Sequence, residues 1–383
     1  MPACECQPAR WKDRHAHRLS NETVELTVLL GGGHLADFRL KGSPVNALWE
    51  APWETIEPQT FSAEQASRYG VGGVGRFLSG YTGHALVLGY FGMPSDTQAE
   101  QGLPLHGEAA SAEWKVCDSR EEETSAILTL EVELPRTMLH CRREITLQSG
   151  ASAAFVQETV TNRSSEEVEF QWIQHAAFGE PLFAAGEASL WVPGKRAISW
   201  PLGYEGHEIL PNDAEFTWPN APTVDGGKVD LSQPFPQEGT GFVASLLLEA
   251  GQSRVCAAIH NRRLGLVAGY CFERERFPWV AFWEENRARA YPPWNGVTRV
   301  RGVEFGTSPM PMGLEHARKM GSLFGSPVLA TLPPEAKTST GYEIFMTRVP
   351  SGWERISEVV RANDGLSVRN YAGQEIIVRS SRV

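Results

Sequence analysis

The chain has 383 residues, 42% hydrophobic and 21% charged, which supplies a sizeable core and is unlike the composition of a disordered protein. A formal net charge of −11 argues against a sequence-independent grip on nucleic acid, which needs a basic face that displaces counterions. No apolar run approaches the roughly 20 residues that cross a bilayer, so neither nucleic acid nor a membrane is an expected partner.

In chain order, Met1–Asn21 is polar and mixes Arg, His and Cys without the apolar centre of a secretory signal. It predicts a tail over residues 1–18 and a cytoplasmic protein. Cys4-Glu5-Cys6 has no second Cys/His pair at zinc-finger spacing, so no metal is expected, and the six thinly spread cysteines read as reduced core residues. Val24-Glu25-Leu26-Thr27-Val28 alternates and runs into Gly31-Gly32-Gly33. Leu128, Leu130, Val132 and Leu134 share one face while Thr129, Glu131 and Glu133 share the other. Both patterns predict half-buried antiparallel strands.

Further strands are predicted at Ala154–Thr161, Glu167–Ile173, Arg254–Ile259, Leu264–Tyr270, Trp279–Trp283, Val297–Phe305, Tyr342–Val349 and Glu375–Arg379. Pro201–Gln237 is the least periodic stretch and predicts a long excursion of the kind that shapes binding sites. Helical spacing is rare: Gly313–Leu323 predicts a short helix, and Trp353, Ile356, Val359 and Val360 fall on one face of another. Strands at this density without βα alternation predict an all-β protein, a large antiparallel β-sandwich with few short helices. One domain is expected over 19–349, with a helix and strand extension at 350–383 packed on it.

Three places carry groups suited to acid/base chemistry. Leu105-His106-Gly107 puts an imidazole beside a glycine, where a ligand can approach the backbone. In Phe170-Gln171-Trp172-Ile173-Gln174-His175, Phe170 and Trp172 share one strand face, so Ile173 and His175 point to the other. Glu304 sits in an otherwise apolar strand end between Gly302 and Gly306, where a carboxylate is costly unless it has a partner or a task.

These segments, in this order, resemble the aldose 1-epimerase/galactose mutarotase-like superfamily. The resemblance begins at Leu29-Leu30-Gly31-Gly32-Gly33-His34 and takes in Gly75-Arg76-Phe77, Leu105-His106-Gly107, the strand-end His175 leading to Phe178, and Glu304. It covers roughly 19–349 and implies the β-sandwich of that superfamily. It also implies a cofactor-free isomerase that opens and recloses a cyclic hemiacetal, interconverting the anomers of an aldose or sugar derivative. Residue by residue, it makes Glu304 the general base at the anomeric hydroxyl and His175 the acid at the ring oxygen. His106 becomes the second imidazole near that oxygen, and Arg76 a ligand of sugar hydroxyls. Two departures stand out. Phe77 follows Arg76 where the family carries an asparagine-rich motif, and Gly239-Thr240-Gly241-Phe242 stands where a sugar-binding aspartate is expected.

Each residue has a plainer role available: His106 in a turn, His175 as a satisfied strand-end imidazole, and Glu304 paired with Arg299 or Arg301. Trp283, Trp279 and Trp294 are stacking platforms for a sugar or core aromatics. Asp213 and Asp225 lie in the excursion, and Glu284-Glu285 reads as a solvated turn. The sequence therefore predicts a mutarotase-like enzyme, monomeric or homodimeric, acting on a monosaccharide or its derivative. Its rivals are a non-catalytic sugar sensor on the same fold and a polysaccharide lyase or hydrolase.

Overall fold

The computed structural model describes residues 4–363 and 365–382. Residues 1–3 of the expected tail, and Asp364 and Val383 of the expected extension, lie outside the described residues. The alternation resolves into two large antiparallel sheets. The first has 14 strands, in the order Glu5–Trp11, Arg14–Ser20, Val24–Leu29, Leu35–Leu40, His84–Gly89, Val168–Phe178, Arg299–Gly306, Trp279–Asn286, Thr240–Leu248 and Gly194–Ser199. Three short strands from the 201–237 excursion complete that edge, and Ala330–Leu332 pairs beside Val168–Phe178.

The second sheet has eight strands: Ala188–Trp191, Arg254–Asn261, Leu266–Glu273, Lys337–Arg348, Ala153–Asn162, Leu139–Gln148, Ser125–Leu134 and Lys115–Glu121. Inward side chains of both sheets merge in one core, where Leu26, Leu86 and Phe305 of the first meet Leu128, Ile145 and Tyr342 of the second. Phe305 stacks on Phe272 with ring centroids 4.1 Å apart. Burying each such side chain contributes about 1.5–3 kcal/mol.

A polar seam crosses this core. Arg143 Nη2 lies 2.7 Å from Glu158 Oε1, with both side chains shut away from water. Glu158 Oε2 accepts hydrogen bonds from Gln174 Nε2 at 2.6 Å and Trp172 Nε1 at 3.1 Å. Gln174 Oε1 meets His84 Nε2 at 2.9 Å, and His84 Nδ1 meets the Tyr270 hydroxyl at 2.9 Å. A charge pair is tolerated here because each ion is matched and its remaining valences are hydrogen-bonded.

The expected tail is corrected at its described residues: Glu5–Trp11 pairs with Arg14–Ser20, which pairs with Val24–Leu29. Polarity hid these strands because Arg14 is itself buried, donating to the carbonyls of Gly80 at 2.7 Å and Gly31 at 2.8 Å. The expected carboxy-terminal helix is also corrected. Ile356–Ala362 is a strand, paired through Gly365–Asn370 to Glu375–Arg379. A bulge between Ile356 and Glu358 shifts the phase, so Ile356 and Val359 are both buried at a spacing that imitates a helix. Their apolar face packs on Val267, Cys271 and Phe345 of the second sheet. The helix predicted from Gly313 is present as Gly313–Met320.

Candidate active site

Strand alternation builds the site on the face of the first sheet opposite the core. In Val168–Phe178, Phe170, Trp172 and Ala176 enter the core, which turns Ile173 and His175 outward. In Arg299–Gly306, Val303 and Phe305 enter the core, which turns Glu304 outward. The two strands are neighbours, with Gln174 opposite Phe305 and Ala177 opposite Gly302. His175 Nε2 therefore comes within 3.3 Å of Glu304 Oε1.

Gly302 leaves room for this placement of the carboxylate. A Cβ there would stand 2.4 Å from Glu304 Oε1 and 3.3 Å from Trp283 Cβ. The missing side chain is the space into which the carboxylate folds.

His106 arrives from a loop in the left-handed conformation, φ 63°, which few residues other than glycine adopt. Two hydrogen bonds hold it: its own N–H donates to the Gly92 carbonyl at 3.0 Å, and the Gly92 N–H donates to His106 Nδ1 at 3.1 Å. Because the Gly92 N–H can only donate, Nδ1 must offer a lone pair, and the hydrogen-bond network assigns the ring proton to Nε2. The ring centroids of His106 and His175 are 5.0 Å apart.

On its other side His175 Nδ1 meets the Tyr81 hydroxyl at 3.0 Å. A phenol can donate to a neutral imidazole and accept from a protonated one, so Tyr81 serves both states while Nε2 faces Glu304. Tyr81 is fixed by stacking on Phe77, with centroids 4.8 Å apart.

Burial sets the proton affinities. It pushes the Glu304 carboxyl well above the usual carboxylate range and pulls His175 down to about 4. His106 is pulled well below its ordinary value, first by burial and then by His175. Among the described residues Glu304 Oε1 finds no hydrogen-bond partner despite the 3.3 Å approach. Burial thus favours the neutral form of each group, the Glu304 carboxyl protonated and the His175 imidazole not.

These groups open into a cavity of about 530 Å³ walled by Phe77, Phe91, Trp200, Trp283 and Trp294. Trp283 is half-buried and donates from Nε1 to the Tyr204 hydroxyl at 2.7 Å. Tyr204 donates to Glu285 at 2.8 Å. Arg289 reaches Tyr204 at 2.8 Å, Glu285 at 3.3 Å and Glu205 at 2.9 Å.

Of the residues singled out in the sequence, His106, His175, Glu304, Trp283 and Trp294 line this cavity together. Arg76 does not: it lies in the helix Gly72–Gly80 with its side chain exposed, and the cavity's guanidinium is that of Arg289. Trp279 packs on Ala317 and Val328, and Asp213 and Asp225 are exposed. Glu284 and Glu285 are buried in a strand, not solvated, with Glu284 paired to Arg301. Arg299 pairs with Glu180 and Glu238, so neither arginine is bound to Glu304. Tyr81, Tyr204, Glu205 and Arg289 were not picked from the sequence. The one usable trace was Gly241, where a Cβ would stand 2.1 Å from the Tyr204 ring.

The model of a family described as "Domain of unknown function (DUF4432)" matches residues 16–340. A search of curated proteins gives no match. Among solved structures, a "putative aldose 1-epimerase" from Klebsiella pneumoniae aligns with a TM-score of 0.65 and 16% identity, covering 89% of this chain and 82% of that one. A galactose mutarotase-like protein from Clostridium acetobutylicum aligns at 0.58 and 14%, covering 90% and 98%. These alignments show a galactose mutarotase-like fold, the fold implied by the sequence resemblance.

Proposed function

We propose that this chain, which belongs to the family described as a domain of unknown function (DUF4432), is an aldose 1-epimerase-like enzyme interconverting the anomers of a sugar. The observation that carries this is the approach of Glu304 to His175 at 3.3 Å, with His106 beside them in one aromatic cavity. Anomer exchange needs a proton removed from the anomeric hydroxyl and one supplied to the ring oxygen, and a Glu–His pair holding one proton does both.

In the reacting form Glu304 is a carboxylate and His175 an imidazolium, with Nδ1–H given to Tyr81. Glu304 takes the proton from O1 as the bond from C1 to the ring oxygen breaks, and His175 Nε2–H protonates that oxygen. The pair ends with its single proton on Glu304. His106, neutral and protonated at Nε2, donates a hydrogen bond to the same oxygen and steadies the charge that develops there. Rotation about the bond from C1 to C2 presents the other face of the aldehyde, and the steps reverse. Trp283 offers a face on which the sugar ring stacks. Six free cysteines fit a reducing compartment, and on that ground we place the protein in the cytoplasm.

NMR exchange spectroscopy or polarimetry on freshly dissolved α-anomers tests this. The wild type accelerates equilibration, and Glu304→Gln or His175→Asn removes the increment. Sugar binding without acceleration across a broad panel would leave a non-catalytic sugar-binding protein on this fold.

A further inference from the structure

We propose that the outer part of the cavity is a second subsite, and that the preferred ligand is a neutral sugar whose reducing ring carries another sugar ring. This rests on the mutarotase reading for the orientation of the reducing end. The acid/base groups gather at one end, and a relay of side chains leads away from them. The Trp283 ring is 6.2 Å from that of His175, and its indole N–H reaches Tyr204. The Arg289 guanidinium lies 4.5 Å over Tyr204 and 5.2 Å over Trp294. Arg289 then holds Glu205, which accepts from the Tyr291 hydroxyl at 2.8 Å. Tyr291 and Glu205, at the far end of this relay from the imidazoles, line the same cavity. Its volume of about 530 Å³ lies in the range of sites that take ligands well beyond one ring.

The chemistry of the outer walls selects the occupant. Leu202, Met93 and Tyr291 line the mouth at 77%, 57% and 49% exposure. Apolar surface left in water beside a cavity marks a contact, and the flat apolar face of a sugar ring fits an aromatic wall. Among the described residues, Arg289 is the one Lys or Arg lining the cavity, and Glu205 and Glu285 already hold it. Among the described residues no free cation therefore awaits a phosphate or a uronate, and Glu205 repels both. Hydroxyls of a second ring can instead donate to Glu205.

The test is binding, measured by titration calorimetry on Glu304→Gln so that turnover does not intervene. Reducing disaccharides with α and β 1→4 and 1→6 linkages are compared with their reducing-end monosaccharides, glucose 6-phosphate and galacturonate. We expect the best disaccharide to bind about tenfold tighter than its monosaccharide, the size of one good stacking contact. Tyr291→Ala, and separately Leu202→Ser at a site too exposed to threaten folding, should pull that ratio toward one, with the charged sugars weakest. A wild-type ratio of one, a ratio untouched by both substitutions, or tighter binding of a charged sugar overturns the subsite. Accelerated anomer exchange alongside a ratio of one sinks the subsite alone; a tenfold ratio without acceleration sinks the epimerase alone.

Discussion

Glu304→Gln should slow anomer exchange and stabilise the fold at once, a combination expected of a residue kept for chemistry. The wild-type carboxyl is buried at the cavity wall, and among the described residues its Oε1 has no hydrogen bond. Burial lifts its pKa above that of the unfolded chain. The sign follows by linkage. Above the unfolded value of about 4.3, folding must take up a proton that the unfolded chain has lost. Wild-type stability therefore falls, relative to the variant, as pH rises from there toward the folded value. The slope is about 1.4 kcal/mol for each pH unit through which the folded form keeps that proton. Glutamine carries no such cost at any pH, and for a chain of this size the gain reads as roughly 2 °C in Tm per kcal/mol. Thermal unfolding followed by tryptophan fluorescence from pH 4.5 to 7.5 should give curves for the two proteins that diverge with pH. Exchange rates should fall by about 10²–10⁴-fold, the usual contribution of a positioned acid or base. A pH-independent stability difference, or a variant less stable than wild type at pH 7, would refute the uncompensated carboxyl.

The exchange rate itself should follow the singly protonated pair, falling below about pH 4 as His175 takes up a second proton and falling on the alkaline side as the pair loses its one proton; a limb near 6.5 would mean that His175 titrates as an exposed imidazole. Tyr81→Phe keeps the stack on Phe77 but leaves Nδ1 of His175 unpartnered, so it should cost about 1–3 kcal/mol in stability. It should also lower kcat more than it raises KM, and equal changes in both would deny Tyr81 its part in proton handling. Gly302→Ala drives a methyl into the carboxylate, and we expect loss of exchange activity with the two-sheet circular dichroism spectrum retained. Arg143→Met strands the Glu158 charge in the core and should destabilise by about 3–5 kcal/mol in chemical denaturation.

What the sequence disclosed followed from how local each signal is. His175 and Glu304 were legible because strand alternation assigns faces from neighbours one and two residues away, and the core-facing aromatics Phe170, Trp172 and Phe305 declare the inner side. Arg289, Glu205 and Tyr204 stayed hidden because their partners lie about 80 residues away across two loops, and no periodicity marks a loop residue whose importance is a contact. Arg76 misled for the converse reason: a motif fixes its position in the chain, whereas the helix Gly72–Gly80 decides which way it points. The first two strands failed as a pattern because buried Arg14 and His17 look like surface residues until Gly31 and Gly80 supply carbonyls for the arginine. The bulge before Glu358 shows that one inserted residue is enough to make period two resemble three to four.

The seam of Arg143, Glu158, Trp172, Gln174 and His84 has a consequence for fidelity. Strand pairing is periodic, and a slip by one residue would still satisfy most backbone bonds while sending every side chain to the opposite face. For Val168–Phe178 that slip would bring His175 into the core and carry Gln174 and Trp172 out, stripping Glu158 of both its neutral donors. Packing opposes the slip as well, since Glu169, Gln171 and His175 would take the places of Phe170, Trp172 and Ala176 in the core. A buried anion that only one alignment can satisfy makes the wrong ones expensive, so the imidazole is aimed by a charge on the far side of its own backbone.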